Sequence, residues 1–176
     1  MLRARAALWQ EYLRLHKLVV TVVNKDEVCR RFMDIPGVGP ISALAFETSV
    51  DDPRRFRRSK TVGAYLGPTA RRGQSGTSID VSGHISKAGD GKVRHALYEA
   101  ANIMLTRSKS FSSLKAWGMR IAKKRGHKRA CVAVARKLSV IMHAMWCDGS
   151  KFQFKAPPAP EKSQAKRAPR LLAATA

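Results

Sequence analysis

The sequence predicts a mainly α-helical domain, and two observations lead there; a third, its charge, points to a partner. Apolar residues recur at spacings of three and four over most of the 176 residues. A glycine-punctuated break, Ile35-Pro36-Gly37-Val38-Gly39-Pro40, separates two such periodic segments. Lysine and arginine number 34 against 12 acidic residues, a formal net charge of +22. That excess exceeds what solubility requires and points to a polyanion, nucleic acid first and an anionic membrane surface second. With 44% hydrophobic residues, the chain can build one domain of ordinary size with appendages. The expected division is a helical, coiled-coil-like segment over 1–33, a DNA-binding domain over 34–154 and a disordered basic tail over 155–176.

No apolar run is long enough to cross a bilayer, and Met1-Leu2-Arg3 is not followed by an uninterrupted signal core. The expected place of action is therefore the cytoplasm, with no membrane partner. Cys29, Cys131 and Cys147 are odd in number and widely spaced, without a CxxC pair. They read as reduced packing thiols, and no metal site is assigned.

In residues 1–33, Leu8, Tyr12, Leu15, Val19, Val22, Cys29 and Met33 form one apolar row, with Leu2, Ala6, Trp9, Leu13, Val20 and Val23 beside it. This predicts a helix with a stripe wide enough for a coiled-coil contact, and hence a homo-oligomer through 1–33. Packing on its own domain is the alternative, and the β-branched run 19–23 could instead open a strand. Asn24 and Asp26 can cap a second helix over 27–33. The break at 35–40 then resembles a helix-hairpin-helix, in which Gly37 and Gly39 bare backbone N–H groups to a phosphate. The competing reading is a tight turn that needs glycine only for packing.

Asp51-Asp52-Pro53 starts another short helix, and its aspartates read as caps, not metal ligands. Ser59 is expected to cap a helix over 60–66, which stops at Gly67-Pro68. A polar, glycine-rich loop follows, centred on Gln74-Ser75-Gly76 and Gly83 to Asp90. Arg71, Arg72, Lys87, Lys92 and Arg94 surround it with positive charge. A serine held there can attack a phosphodiester, with cations stabilising the charge on phosphorus. Taken alone, these residue types favour ordinary loop punctuation. Asp90 can cap a helix from about 91 to 107. Two more are expected, over 111–124 and 128–147, with a basic corner of Lys123, Lys124, Arg125, Lys128 and Arg129 between them. So one-sided a cluster suggests contact with backbone phosphates. Beyond Lys155, Ala-Pro-Pro-Ala-Pro and scattered cations lack the apolar content to fold.

The motifs Asp34-Ile-Pro-Gly-Val-Gly-Pro, Arg55-Phe56, Ala64-Tyr65-Leu66-Gly67, Gln74-Ser75-Gly76 and Gly83 to Asp90 with Arg94 occur in one order. Leu97-Tyr98-Glu99-Ala100-Ala101-Asn102, Leu114 to Gly118 and Val132 to Leu138 follow. Together, over roughly 24–154, they resemble the C-terminal domain of transposases of the insertion-sequence family numbered 110, 116 and 902. The resemblance implies DNA transposition by a two-part recombinase. An acidic RuvC-like domain holds magnesium, a coiled coil follows, and this C-terminal domain supplies a catalytic serine that joins covalently to DNA. A structured guide RNA helps choose the target. Carried over by motif, the serine falls on Ser75. The phosphate-binding roles of Arg71, Arg72, Lys87 and Arg94 are inferred from proximity in sequence.

The acidic domain is missing from this sequence, which predicts that the chain alone is inactive and carries no cofactor of its own. The family's Gly-Leu-Thr-Pro is here Gly67-Pro68-Thr69-Ala70, and the spacing from Ser75 to Gly83 is one residue longer. Ser78, Ser82 and Ser86 therefore stand as rivals. The alternative function is a non-catalytic DNA- or RNA-binding remnant.

Overall fold

The computed structural model describes residues 2–75 and 79–155, without the side chains of 70–82. Seven α-helices and one β-hairpin are described: α1 (Leu2–Lys25), α2 (Glu27–Met33), α3 (Pro40–Val50), α4 (Ser59–Tyr65), β1 (Ala70–Ser75), β2 (Ile79–Ile85), α5 (Gly91–Thr106), α6 (Ser113–Arg125) and α7 (His127–Asp148). A 3₁₀ turn, Pro53–Arg55, precedes α4. The fold is mainly α, as the periodicity requires.

A side-chain cap opens three of the seven described helices. The Asp26 carboxylate accepts the Cys29 N–H at 2.9 Å and opens α2. Asp90 accepts the Lys92 N–H at 2.7 Å and opens α5, and Ser112 accepts the Lys115 N–H at 3.1 Å and opens α6. Ser59 departs from expectation. It lies inside α4, whose cap position is Arg58 without a side-chain bond. Its hydroxyl instead turns inward, 3.0 Å from Nδ1 of the buried His143.

The core is built around α7, whose buried residues Cys131, Val134, Leu138, Met142 and Met145 repeat at three- and four-residue intervals. Helices α4, α5 and α6 pack along it. At its far end, Phe32 of α2 meets Phe46 of α3 and Trp146 edge-on, at centroid separations of 5.5 and 6.0 Å. Helix α7 has the length and apolar content of a membrane span, but half of its apolar window is buried in this core. Those are the properties of a core helix.

The segment read as a loop is in fact an antiparallel hairpin. Arg72 pairs with Ser82, Gln74 with Asp80 and Ser75 with Ile79, with an irregularity between Ala70 and Arg72. Strand β2 carries the signal in Ile79, Val81 and Ile85, spaced by multiples of two. Gly83 within it and the polar β1, ARRGQS, mask that alternation. The hairpin's base is fixed to the body by close backbone approach. Ser86 N–H donates to Thr69 O at 2.8 Å, and Lys87 N–H donates to Gly67 O at 3.2 Å. A Cβ on Gly89, whose φ is +75°, would overlap the Tyr65 carbonyl. Only glycine allows the loop to close this far on α4.

Candidate nucleic-acid interface

The return of β2 onto α4 creates a groove of about 1520 Å³ between the hairpin's base and the outer face of α6 and α7. Lys87, Arg125, Lys128 and Arg129 line it, so four of the sequence-predicted cations converge there. Lys60, Arg136 and Lys137 join them, and no carboxylate is among the described lining residues. All seven cations are exposed. Lys123 and Lys124 are exposed in the last turn of α6 and are not part of the lining.

Three local features shape the groove. Helix α7 begins with His127, Lys128 and Arg129, has no acidic residue in its first turn and lacks a side-chain cap. Cations there oppose the helix dipole, and the first-turn N–H groups have no intrahelical acceptor. A bound anion relieves both. Lys87 occupies a left-handed conformation, φ +55°, which is uncommon for a residue with a side chain. Its backbone bond to Gly67 holds that strained position at the groove's mouth. The Lys137 ammonium sits 3.9 Å from the Trp117 ring centroid, a cation–π contact that fixes the wall shared by α6 and α7.

Other predicted residues fall elsewhere. Ser75 ends β1 opposite Ile79, at the hairpin's tip, whereas Lys87 follows β2 at its base. From Ile79 to Ile85 alone, β2 spans roughly 20 Å. The side chains of Ser75, Arg71, Arg72 and the rival Ser82 lie outside the described residues, as do Ser78 and the tail from 156. The rival Ser86 lies at the hairpin's base, and its hydroxyl faces Gly67 O at 3.4 Å. Arg94 turns back toward the loop as expected, but its Nη1 donates to Leu66 O at 3.2 Å and Ala88 O at 3.0 Å. It ties the loop to α5.

Gly37 and Gly39 play different parts. Gly37 has φ +93°, and a Cβ there would overlap the Ala100 carbonyl, so it lets the α2–α3 turn settle on α5. Gly39 caps α3, with nothing within 4 Å of where a Cβ would sit. Of the two, Gly39 leaves space for a ligand beside the helix N-terminus.

Sequence reasoning missed Lys60, Arg136 and Lys137. Only Arg136 had a periodic signal: Arg129, Val132, Ala133, Arg136 and Val140 repeat at helical spacing on the face opposite the core residues of α7, whereas Lys60 lies on α4.

Among the described residues one cluster brings three possible metal-ligand atoms within 4.8 Å of one another: Asp26, Cys29 and Glu47. Magnesium requires hard oxygen ligands in near-octahedral array. Here a thiol is central, 2.8 Å from the Glu47 carboxylate, and burial pushes both the Cys29 and Glu47 pKa values up. A cluster centred on a buried thiol does not fit magnesium.

A family model described as Transposase IS116/IS110/IS902 family matches residues 29–116. The chain belongs to that family. It is 36% identical over 125 residues to the transposase for insertion sequence element IS1111A of Coxiella burnetii, covering 70% of this chain and 34% of the relative. The transposase for insertion sequence element IS1328 of Yersinia enterocolitica is 31% identical over 129 residues, covering 72% and 38%. A putative transposase of Sinorhizobium fredii, y4pF/y4sB, is 29% identical over 153 residues, covering 82% and 39%. The chain thus spans little more than a third of the length of these relatives.

Proposed function

We propose that this chain is the C-terminal, DNA-engaging portion of an insertion-sequence transposase and that the basic groove holds nucleic-acid phosphates. The observation that carries the reading is the convergence of seven exposed cations, with no carboxylate among the described lining residues. Each phosphate neutralised releases condensed counterions, so affinity should fall steeply and linearly on a log–log plot against salt. Arg129→Gln with Arg136→Gln should weaken duplex binding at every sequence alike and flatten that slope by about 2. Fluorescence anisotropy across a salt series measures both. An unchanged slope would remove these residues from the interface.

In this reading Ser75 is the nucleophile for strand cleavage and rejoining. Its Oγ bonds to phosphorus, one deoxyribose oxygen leaves, and the protein–DNA phosphodiester is later reversed by an incoming strand hydroxyl. The family resemblance supports Ser75. The hairpin register supports a division of labour, with attack at the tip and backbone holding at the base. Arg71 and Arg72, on the same strand as Ser75, are the candidates to stabilise the phosphorane charge. Lys87 serves the groove, and Arg94 positions the loop. The chain alone should bind DNA without cleaving it.

With the family's acidic domain and guide RNA supplied, a covalent adduct should form. Ser75→Ala should abolish the adduct and leave affinity nearly unchanged, because one hydroxyl adds little to many phosphate contacts. Attachment mapped by mass spectrometry to Ser78, Ser82 or Ser86 would reassign the nucleophile. Absence of any adduct would favour a non-catalytic DNA- or RNA-binding role for the same groove. The partner set in this reading is DNA, a structured RNA and a second copy joined through α1.

A further inference from the structure

Beside the groove lies a second cavity of about 440 Å³, between α6, α7 and the segment that follows α7. Its size falls in the roughly 300–1,000 Å³ range of small-molecule sites. Trp117, Lys137 and Ile141 line both cavities, so the pocket adjoins the groove across a single wall. The pocket's character differs from the groove's. Leu114, Met145 and Phe152 give it an apolar interior, and Arg120, Lys151 and Lys155 add positive charge. Its outer wall is built into the fold: Phe152 is buried, it meets Phe154 edge-on at 5.1 Å, and the Ser113 N–H donates to Phe154 O at 2.8 Å.

We propose that this pocket receives an unpaired nucleobase from a strand whose phosphates lie in the groove, an inference that rests on the groove's phosphate-binding role. An apolar chamber with cations around it matches a nucleotide's two halves. The base leaves water among apolar and aromatic side chains, while the flanking phosphates meet Arg120 and Lys151. The shared wall makes the base and backbone sites continuous, which favours a nucleic acid over an acidic, phenylalanine-bearing peptide. Ser113 and Gln153 supply hydroxyl and amide groups for base edges. The ligand class is therefore duplex DNA or RNA with an extrahelical or single-stranded nucleotide.

The test compares the full chain's affinity for a fully paired duplex with its affinity for the same duplex carrying one bulged 2-aminopurine. Base stacking predicts about tenfold tighter binding of the bulged probe. A change in 2-aminopurine emission should accompany it. Ala144→Phe fills the pocket from α7 without touching the groove lining, and should erase the preference while paired-duplex affinity and Tm stay unchanged. Lys151→Gln, at an exposed position, should reduce the preference severalfold and guards against a misfolded first variant.

Equal affinity for the two probes, with steep salt dependence for both, would overturn the pocket proposal and leave the groove reading intact. A preference that survives Ala144→Phe and Lys151→Gln would also overturn it, because bulge flexibility would then be the cause. Loss of acidic-peptide binding in Ala144→Phe, without loss of bulge preference, would reassign the pocket to protein docking and overturn it. Weak, salt-insensitive binding of both probes would overturn the groove reading and this proposal together.

Discussion

Helices α1 and α7 are the two longest in the molecule, 24 and 22 residues, and both carry apolar residues at helical spacing. They end up in opposite circumstances. Helix α7 buries nine residues from Ala130 to Met145, whereas α1 buries only Val23 near its C-terminal end. Leu8, Trp9, Tyr12, Leu15 and Val22 remain exposed on α1, with Trp9 and Tyr12 stacked at 5.4 Å. Periodicity therefore reports that a helix has an apolar face, not where its partner comes from. For α7 the partners are α4, α5 and α6 of the same chain. For most of α1 the described residues provide none, and exposed apolar surface on this scale marks an interaction site.

The sharpest way to test that contrast is to delete matched side chains from the two helices. Leu138→Ala on α7 empties a fully buried site. It should cost about 3 kcal/mol, within the usual range for large-to-small core changes. Urea unfolding followed by helix circular dichroism measures it. A loss below about 1 kcal/mol would mean that α7 is not the spine of the core.

A second test addresses the junction where α1 meets the body through α2 and α3. Glu47 on α3 faces Cys29 on α2, and burial raises the Glu47 pKa above its ordinary value of 4.5. The folded state thus holds a proton more tightly than the unfolded chain does. Stability from this site is fully present below pH 4.5 and is lost as pH rises through the folded pKa. Glu47→Gln should abolish that loss. Its Tm should match the parent at low pH and exceed it by about 3 °C at most at neutral pH. A variant less stable than the parent at neutral pH would show that the ionised carboxylate is favourable there.

The same contrast explains how much was legible in advance. Helices announce themselves through local rules, so the caps Asp26 and Asp90 and the spans of α5 and α7 could be read in advance. The hairpin could not be read the same way, because β1 pairs polar residues and Gly83 interrupts the apolar alternation of β2. Strand pairing is a non-local choice that polar side chains do not advertise. The groove was half legible. The corner of Arg125, Lys128 and Arg129 is close in sequence and Arg136 follows on the same face of α7, but Lys60 reaches it from α4 only through tertiary packing. Arg94 shows the opposite failure: its position beside the loop was foreseeable, while its bonds to two backbone carbonyls depend on how α4 ends.

The smallest effect on the isolated fold should come from α1 itself, and it is the most informative about assembly. Leu8→Ala with Leu15→Ala removes two exposed side chains, so unfolding of the monomer should shift by less than about 0.5 kcal/mol. If α1 pairs with a second copy, the unsubstituted chain should show a stability that rises with protein concentration, because association draws the equilibrium toward the folded state. The doubly substituted chain should lose that dependence and sediment as a monomer where the parent forms dimers. The aromatic row sharpens the assignment. Trp9 and Tyr12 lie on the same exposed stretch, so Trp9 emission should shift to the blue on association of the parent and stay fixed in the variant. A parent that remains monomeric at high micromolar concentration would remove self-association through α1. The helix would then be left as a surface for a different partner, and the contrast with α7 would stand in a changed form: one helix completed within the chain, the other by a protein of another kind.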